Sequence, residues 1–227
     1  MIDIEPLRFA WPGQDEDTLV LGPLRVDAGR TVFLQGPSGG GKSTLLGLLS
    51  GVLSPRQGRV LLLGQDWAAL PAGRRDAFRA DHVGVIFQQF NLLPYLSVLD
   101  NVTLPCRFSA LRRQRCQGRP DEAAGLWLAR MGLPKALWTR RADTLSVGQQ
   151  QRVAAARALI GQPEVVLADE PTSALDAALC HDFMDLLLQV CRDAGSTLVC
   201  VSHDAQLAGR FDVQWSLPAL QQSGAAS

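Results

Sequence analysis

The stretch GPSGGGKST, residues 36–44, stands directly behind TVFLQ (31–35) and directly before the apolar LLGLLSGVL (45–53). Four glycines and one lysine between a strand-like run and a helix-like run need a chemical reason. Glycine backbone can curl so that successive N–H groups point at phosphate oxygens, at a closeness where any Cβ would intrude. Gly36, Gly41, Lys42 and Ser43 fill the spacing G-x-x-x-x-G-K-[ST], and the flanking strand and helix are the context that spacing requires. Pro37, Ser38, Gly39, Gly40 and Thr44 complete the candidate cradle. Lys42 would bring a point charge to the β- and γ-phosphates, Ser43 a hydroxyl to Mg²⁺, and the helix start its positive dipole end. The competing interpretation is a glycine-rich turn with an incidental lysine.

A phosphate cradle of this kind needs an acidic group on the metal side. VVLADE (165–170) supplies one, as four apolar residues of a buried strand followed by Asp169 and Glu170. Asp169 at the strand tip would hold Mg²⁺, directly or through water, and Glu170 would polarise the attacking water. Adjacent carboxylates also occur as plain turn or helix starters.

Composition narrows the field. The chain has 227 residues, with 22 basic and 22 acidic side chains and no net charge. No overall positive field therefore draws it to nucleic acid or an anionic membrane. Five cysteines, at 106, 116, 180, 191 and 200, form no C-x-x-C pair. Their odd number fits reduced, structural or incidental thiols in a cytosolic protein better than a disulfide framework or a zinc site. The start MIDIEPLRFAWPG carries acids and does not read as a signal peptide. LLGLLSGVL is far shorter than the roughly 20 residues that span a bilayer. Work at a membrane would require another chain to supply the crossing.

The order of elements is that of a sheet covered by helices. IEPLRF, TLVLGPLRV and TVFLQ look extended and are separated by turn formers; KSTLLGLLSGVL reads as a helix ending near Gly51. RVLLLGQD and HVGVIFQQ are further strand candidates, with the helix-compatible AGRRDAFRA between them. From about Asn91 to Gln151 helix formers and turns replace strand signals, which return in EVVLADE and STLVCVS on either side of a helical run. That alternation predicts a parallel sheet. FDVQWSL reads as a last strand and the final QQSGAAS as frayed chain, too short for a regulatory domain.

LSVGQQQR (145–152) resembles the signature motif of ATP-binding cassette (ABC) proteins. It is followed by VVLADEP, the D-loop-like SALD (173–176) and VSHD with His203, and preceded by VIFQQ, whose Gln88 matches the family's Q-loop glutamine. Order and spacing agree over nearly the whole chain. The resemblance implies an α/β fold, a P-loop NTPase with a RecA-like parallel-sheet core, an N-terminal antiparallel β-subdomain and an inserted helical subdomain. It implies one nucleotide-binding domain over 1–227, with core 1–90 and 152–227 and helical subdomain 91–151. It also implies ATP and Mg²⁺ as ligands, held between two copies packed head to tail, the cradle of one facing Ser146, Gly148 and Gln149 of the other. In this scheme Glu170 activates water, Gln88 senses Mg²⁺ and the γ-phosphate, His203 contacts the γ-phosphate and Trp11 stacks on adenine.

Physical argument supports part of this independently. Ser146 and the N–H groups around Gly148 would cap a helix beginning near Gln149, and such a helix start is an anion site. Taken alone, LSVGQQQR is equally a serine-capped helix start, His203 a satisfied polar residue and Trp11 a core side chain. One departure stands out: Val147 occupies a position usually held by glycine, and a β-branched residue resists positive φ. Either the backbone there is ordinary or the composite site is weakened.

The resemblance further implies a transmembrane permease partner, a homodimer and a peripheral place on the inner face of the cell membrane. FNLLPYLSVLDNVTLP (90–105) is the candidate docking surface, with core packing as the alternative for its leucines, and the basic stretch 107–119 reads as a solvated helix face or a contact for lipid headgroups. HVGVIFQQFNLLPYLSVLDNVTLP resembles the ATPases of lipoprotein-releasing and macrolide-export type, whereas ADEPTSALD is shared with many amino-acid importers. A mechanotransmitter, the same ATPase driving a membrane protein that moves no substrate, is the alternative function. A module acting on nucleic acid or ribosomes is disfavoured by the zero net charge and the absence of a second cassette.

Overall fold

The computed structural model describes residues 1–173 and 177–225. The last three residues of the D-loop-like SALD lie outside them. Five parallel strands form the central sheet in the order β11-β5-β10-β9-β8. They are β5 (Thr31–Gln35), β8 (Val83–Ile86), β9 (Val165–Asp169), β10 (Thr197–Val201) and β11 (Val213–Ser216). Alternate residues of these strands face two separate cores. Phe33, Ile86, Val166, Ala168, Leu198 and Cys200 join the helical side. Val32, Leu34, Val165, Leu167, Val199 and Val201 join the other. Burial on both faces is why VVLAD and TLVCV read as unbroken apolar runs.

The second core is closed by α1 (Lys42–Leu49) and by an antiparallel layer. In that layer β1 (Ile2–Ile4) pairs with β4 (Leu24–Val26) and β6 (Val60–Leu62), while β2 (Leu7–Phe9) pairs with β3 (Leu19–Leu21). RVLLLGQD is a hairpin of β6 and β7 (Gln65–Asp66) rather than one strand. It turns at Leu63 and Gly64, with φ of 54° and 78°, the pair of positive angles a two-residue hairpin turn requires.

The helical side holds α2 (Ala72–His82), α3 (Val98–Thr103), α4 (Pro105–Phe108), α5 (Ala110–Arg115), α6 (Pro120–Arg130), α7 (Val147–Leu159) and α8 (Ala177–Ala194). Residue 151, the expected end of the helical insert, lies inside α7 and is itself buried. The stretch 90–105 contributes mainly to the core: Phe90, Val98 and Val102 are buried, and buried Asn101 accepts from the Leu93 N–H and donates to the Leu93 and Ser97 carbonyls.

The basic stretch 107–119 is no open patch. Arg107 pairs with Asp100, Arg115 with Glu164 and Arg119 with Glu122. Arg112 turns inward and donates to the carbonyls of Val83, Ala158 and Ile160, which fixes α5 to the sheet edge and to the end of α7. Burial lowers its pKa to about 10, so it remains charged at neutral pH.

Residues 221–225 are helical rather than frayed. A helix, α9 (Leu217–Ala225), packs along β3, and Gln221 Nε2 donates to the Gly40 carbonyl, 3.4 Å away. Its sequence lacks charged caps and carries a glycine, so tertiary packing rather than propensity holds it. Gly224 allows the approach, since a Cβ there would stand 2.6 Å from the Leu21 carbonyl carbon.

Gly84 carries a comparable constraint on the sheet edge. A Cβ on it would meet the Ala158 carbonyl oxygen at 2.2 Å, and both atoms belong to packed backbone of β8 and α7. Gly84→Ala is therefore expected to lower the unfolding free energy by about 1–3 kcal/mol, the usual cost of overpacking, read as a lower urea midpoint at unchanged slope.

Candidate active site

The carboxyl ends of β5, β9 and β10 meet along one edge of the sheet, where crevices of open α/β folds bind ligands. From β5 the chain enters the glycine loop. Gly41, at φ 99°, forms the left-handed corner before α1, and a Cβ there would lie 2.7 Å from the Leu19 side chain. No side chain caps α1 and its first turn holds no acid. Its N–H groups and dipole end are thus free of internal anionic partners, a setting suited to phosphate. Lys42 is buried, and its Nζ donates to the Gly36 and Pro37 carbonyls at 3.0 and 2.9 Å. Those two bonds use two of its three donors and aim the ammonium along the loop.

From β9 come the two carboxylates. Ser43 Oγ donates to Asp169 Oδ2 at 2.9 Å. Glu170 adopts φ 46°, unusual for a non-glycine residue, while its N–H continues the ladder to the Val201 carbonyl at 3.0 Å. Such a conformation costs of order 1 kcal/mol and persists only where the surroundings impose it. Gln88 Nε2 donates to Glu170 Oε2 at 3.3 Å, and His203 Nε2 lies 2.5 Å from Oε1. One carboxylate therefore joins the ends of β8, β9 and β10.

Trp11, Ser38, Gly39, Gly41, Lys42, Ser43, Thr44, Gln88, Glu170 and His203, all expected from sequence, line one cavity of about 390 Å³. Trp11 is 42% exposed at its rim, edge-on to Phe9, which excludes the core alternative for this ring. Gly36, Pro37 and Gly40 serve from behind: two carbonyls receive Lys42, and the Gly40 N–H bonds the Pro37 carbonyl. Two contributors carry no sequence signal. Thr18 lines the cavity from the turn before β3. Arg157 of α7 donates to the carbonyls of Phe90 and Asn91, whose φ values are also positive, and so straps the segment that follows Gln88.

Ser146, Gly148 and Gln149 do not line this cavity. α7 begins at Val147, two residues before the expected Gln149, because Ser146 is its N-cap. Ser146 Oγ accepts from the Gln149 N–H and Gln149 Oε1 accepts from the Ser146 N–H, a reciprocal capping box. Val147 is helical, so its backbone is ordinary and glycine is not required there; its side chain is 46% exposed.

Residues 23–173 match the ABC transporter family. Over 201 residues the chain is 43% identical to the ABC transporter ATP-binding protein YbbA of Escherichia coli K12, covering 88% of this chain and 86% of that protein. It is 39% identical over 214 residues to the macrolide export ATP-binding/permease protein MacB of Escherichia coli O157:H7, covering 93% of this chain but 32% of the relative. Among solved structures, the dimeric post-hydrolysis state of the ATP-binding cassette MJ0796 bound to ADP and Pi superposes with a TM-score of 0.83, at 32% identity, over 96% of this chain and 94% of that one. The chain belongs to the ABC transporter family and is an ATP-binding cassette.

The Asp169 carboxyl is shifted upward, first by burial, against the Ser43 hydrogen bond, with Glu170 adding to the rise. A carboxyl whose folded pKa exceeds its unfolded one favours the fold while protonated, and that contribution disappears as pH rises through the folded value. Asp169→Asn keeps an acceptor for Ser43 and removes the buried charge. The nucleotide-free variant should melt at a higher temperature than wild type at neutral pH, with the gain shrinking in acid, as calorimetry would record.

Proposed function

We propose that this chain is the ATP-hydrolysing subunit of an export-type membrane transporter, acting as a homodimer beneath a transmembrane permease. The observation that carries the reading is the meeting of Ser43, itself hydrogen-bonded to Asp169, with Gln88, Glu170 and His203 in one cavity, with the helix start at Ser146 outside it. A second copy would bring its α7 N-terminus over the cradle, where Ser146 and the N–H groups near Gly148 meet the γ-phosphate. Val147 is then a side chain at that interface, compatible with activity because its backbone is regular.

The donor set suits Mg²⁺: a hydroxyl, a carboxylate and an amide oxygen are hard ligands, and among the described residues no group of three or more His, Cys, Asp or Glu side chains is arranged to hold a metal ion by itself. Mg²⁺ commonly binds in this way, through one or two protein groups together with substrate phosphates. Ser43, Asp169 and Gln88 would hold the ion, which supplies charge neutralisation on the β- and γ-phosphates. Lys42 and the loop N–H groups fix those phosphates, and Trp11 stacks on the base. Glu170 orients and polarises the attacking water, while His203 contacts the γ-phosphate. Cleavage removes the contacts made to that phosphate from both sides, and the dimer reopens.

No helix among the described residues is long and apolar enough to cross a membrane, so the crossing falls to the permease. A groove of about 600 Å³ runs between α2–β8 and the α4–α5 pair, walled by Ala77, Ala80, Val85, Phe87, Pro105 and Phe108. Phe108 is 73% exposed, and Phe87 immediately precedes Gln88. A short cytoplasmic helix of the permease would seat there and hold the subunit at the inner membrane face, with Pro105 the one wall residue from the 90–105 stretch.

Two measurements test these assignments. Glu170→Gln should lower ATP turnover by about 10²–10⁴-fold, the range of a lost general base, while ATP affinity by equilibrium dialysis stays near wild type. An equal loss of affinity would remove Glu170 from the water-activating role. Phe108→Asp should leave the ATPase of the isolated subunit intact and abolish its co-purification with a co-expressed transmembrane permease partner; retained co-purification would reject the groove.

A further inference from the structure

The Sγ atoms of Cys106 on α4 and Cys116 at the end of α5 are 3.8 Å apart, although ten residues separate them in sequence. Both are free thiols, 5% and 8% exposed. A disulfide needs its sulfurs at about 2.0 Å, so a side-chain movement of under ~2 Å along the line joining them would close the bond. Cys116 lines a surface cleft of about 470 Å³ together with Gln117, Trp127 and Gly161, whereas Cys106 does not line it. A small reagent therefore has a route to one sulfur, with the second beside it.

The two thiols are chemically unequal. The hydrogen bond between the two sulfurs, in which either can be the donor, holds the Cys116 thiol below its ordinary value against burial, with the Gly161 backbone and Arg112 adding to the fall. The same hydrogen bond and burial push the Cys106 thiol up. An accessible thiolate beside a protonated neighbour is the arrangement of an attacking and a resolving cysteine. Cys191 and Cys200 are fully buried, and burial pushes the Cys191 thiol up to about 12, so neither competes.

We propose that Cys106 and Cys116 form a reversible dithiol–disulfide modification site that reacts by exchange with a low-molecular-weight disulfide such as glutathione disulfide. The Cys116 thiolate attacks one sulfur of the reagent, forming a mixed disulfide and expelling one thiolate. Cys106 then loses its proton to solvent and attacks Cys116 Sγ, which expels the second thiolate. Two protein thiols are oxidised by two electrons, and one reagent disulfide is reduced to two thiols.

The bond would tie α4, which carries the groove residues Pro105 and Phe108, to α5, which Arg112 already fixes to β8 and α7. Oxidation thereby stiffens the outer wall of the groove, a consequence that rests on the docking role proposed above; the chemistry of the pair does not.

The test incubates the native full-length chain with glutathione disulfide, quenches in acid, unfolds it, blocks remaining thiols with a maleimide and measures intact mass and non-reduced peptides. The five thiols should fall by two with no glutathione retained, in a 106–116 linked peptide that dithiothreitol reverses. Cys106→Ala should trap one glutathione on Cys116, and Cys116→Ala should remain unmodified, each variant keeping the basal ATPase that certifies its fold. Five free thiols in the wild type, a persistent glutathione adduct on it, or a wild-type loss of thiols in Cys116→Ala would overturn the site. Permease-stimulated ATPase should drop on oxidation in the wild type alone. Disulfide formation with unchanged stimulation would reject the groove consequence and keep the site, whereas no stimulation even when reduced would reject the functional reading instead.

Discussion

The register of three parallel strands governs the site. Val201 at the end of β10 is opposite Leu34 of β5 on one side and Asp169 of β9 on the other. The strands end level, and the chain leaves them at one edge as the glycine loop, as Glu170 and as Ser202–His203. A slip of one residue would exchange the two buried faces, moving Val166 and Ala168 from the helical core into the core that contains α1. Core packing and site geometry are thus one constraint. The strained backbone of Glu170 is held by its ladder bond to Val201 and by side chains from two neighbouring strands.

That constraint assembles only half of a nucleotide site. The cavity collects a lysine, a helix start, loop residues and the Glu170 carboxylate, but the second helix start of the sequence, at Ser146, opens elsewhere. Its capping box uses Ser146 Oγ and Gln149 Oε1 as acceptors within their own chain, so the helix is formed in advance of any partner while the Ser146 hydroxyl can still donate. In the function proposed above, these two anion sites on one molecule would meet in a head-to-tail pair that shares two nucleotides.

Much of this was legible in the residues. VVLAD and TLVCV announced doubly buried strands because both of their faces are apolar, and GPSGGGKST announced its corner because only glycine reaches φ 99° at Gly41 without cost. Gln88, Glu170 and His203 were each visible by motif, yet their meeting on one carboxylate depends on strand order, which no local pattern encodes. Thr18 and Arg157 were illegible for the same reason, as was the pairing of Cys106 with Cys116. The C-terminal helix was missed because its propensity is weak and its support comes from β3 and the loop. The mix of apolar and polar residues in 90–105 leaves docking and core packing both open; Val98 and Val102 fill the core, and the apolar groove draws on α2, β8 and α4, an assembly that no single stretch encodes.

The decisive measurement is the molar mass, by light scattering, of a Glu170→Gln chain with ATP and Mg²⁺. The account predicts a mass twice that of the 24.5 kDa chain, reverting to one chain with ADP or when Ser146 is replaced by arginine. A mass that stays at one chain with ATP, even with the membrane partner supplied, would contradict the claim that two copies complete each other's sites.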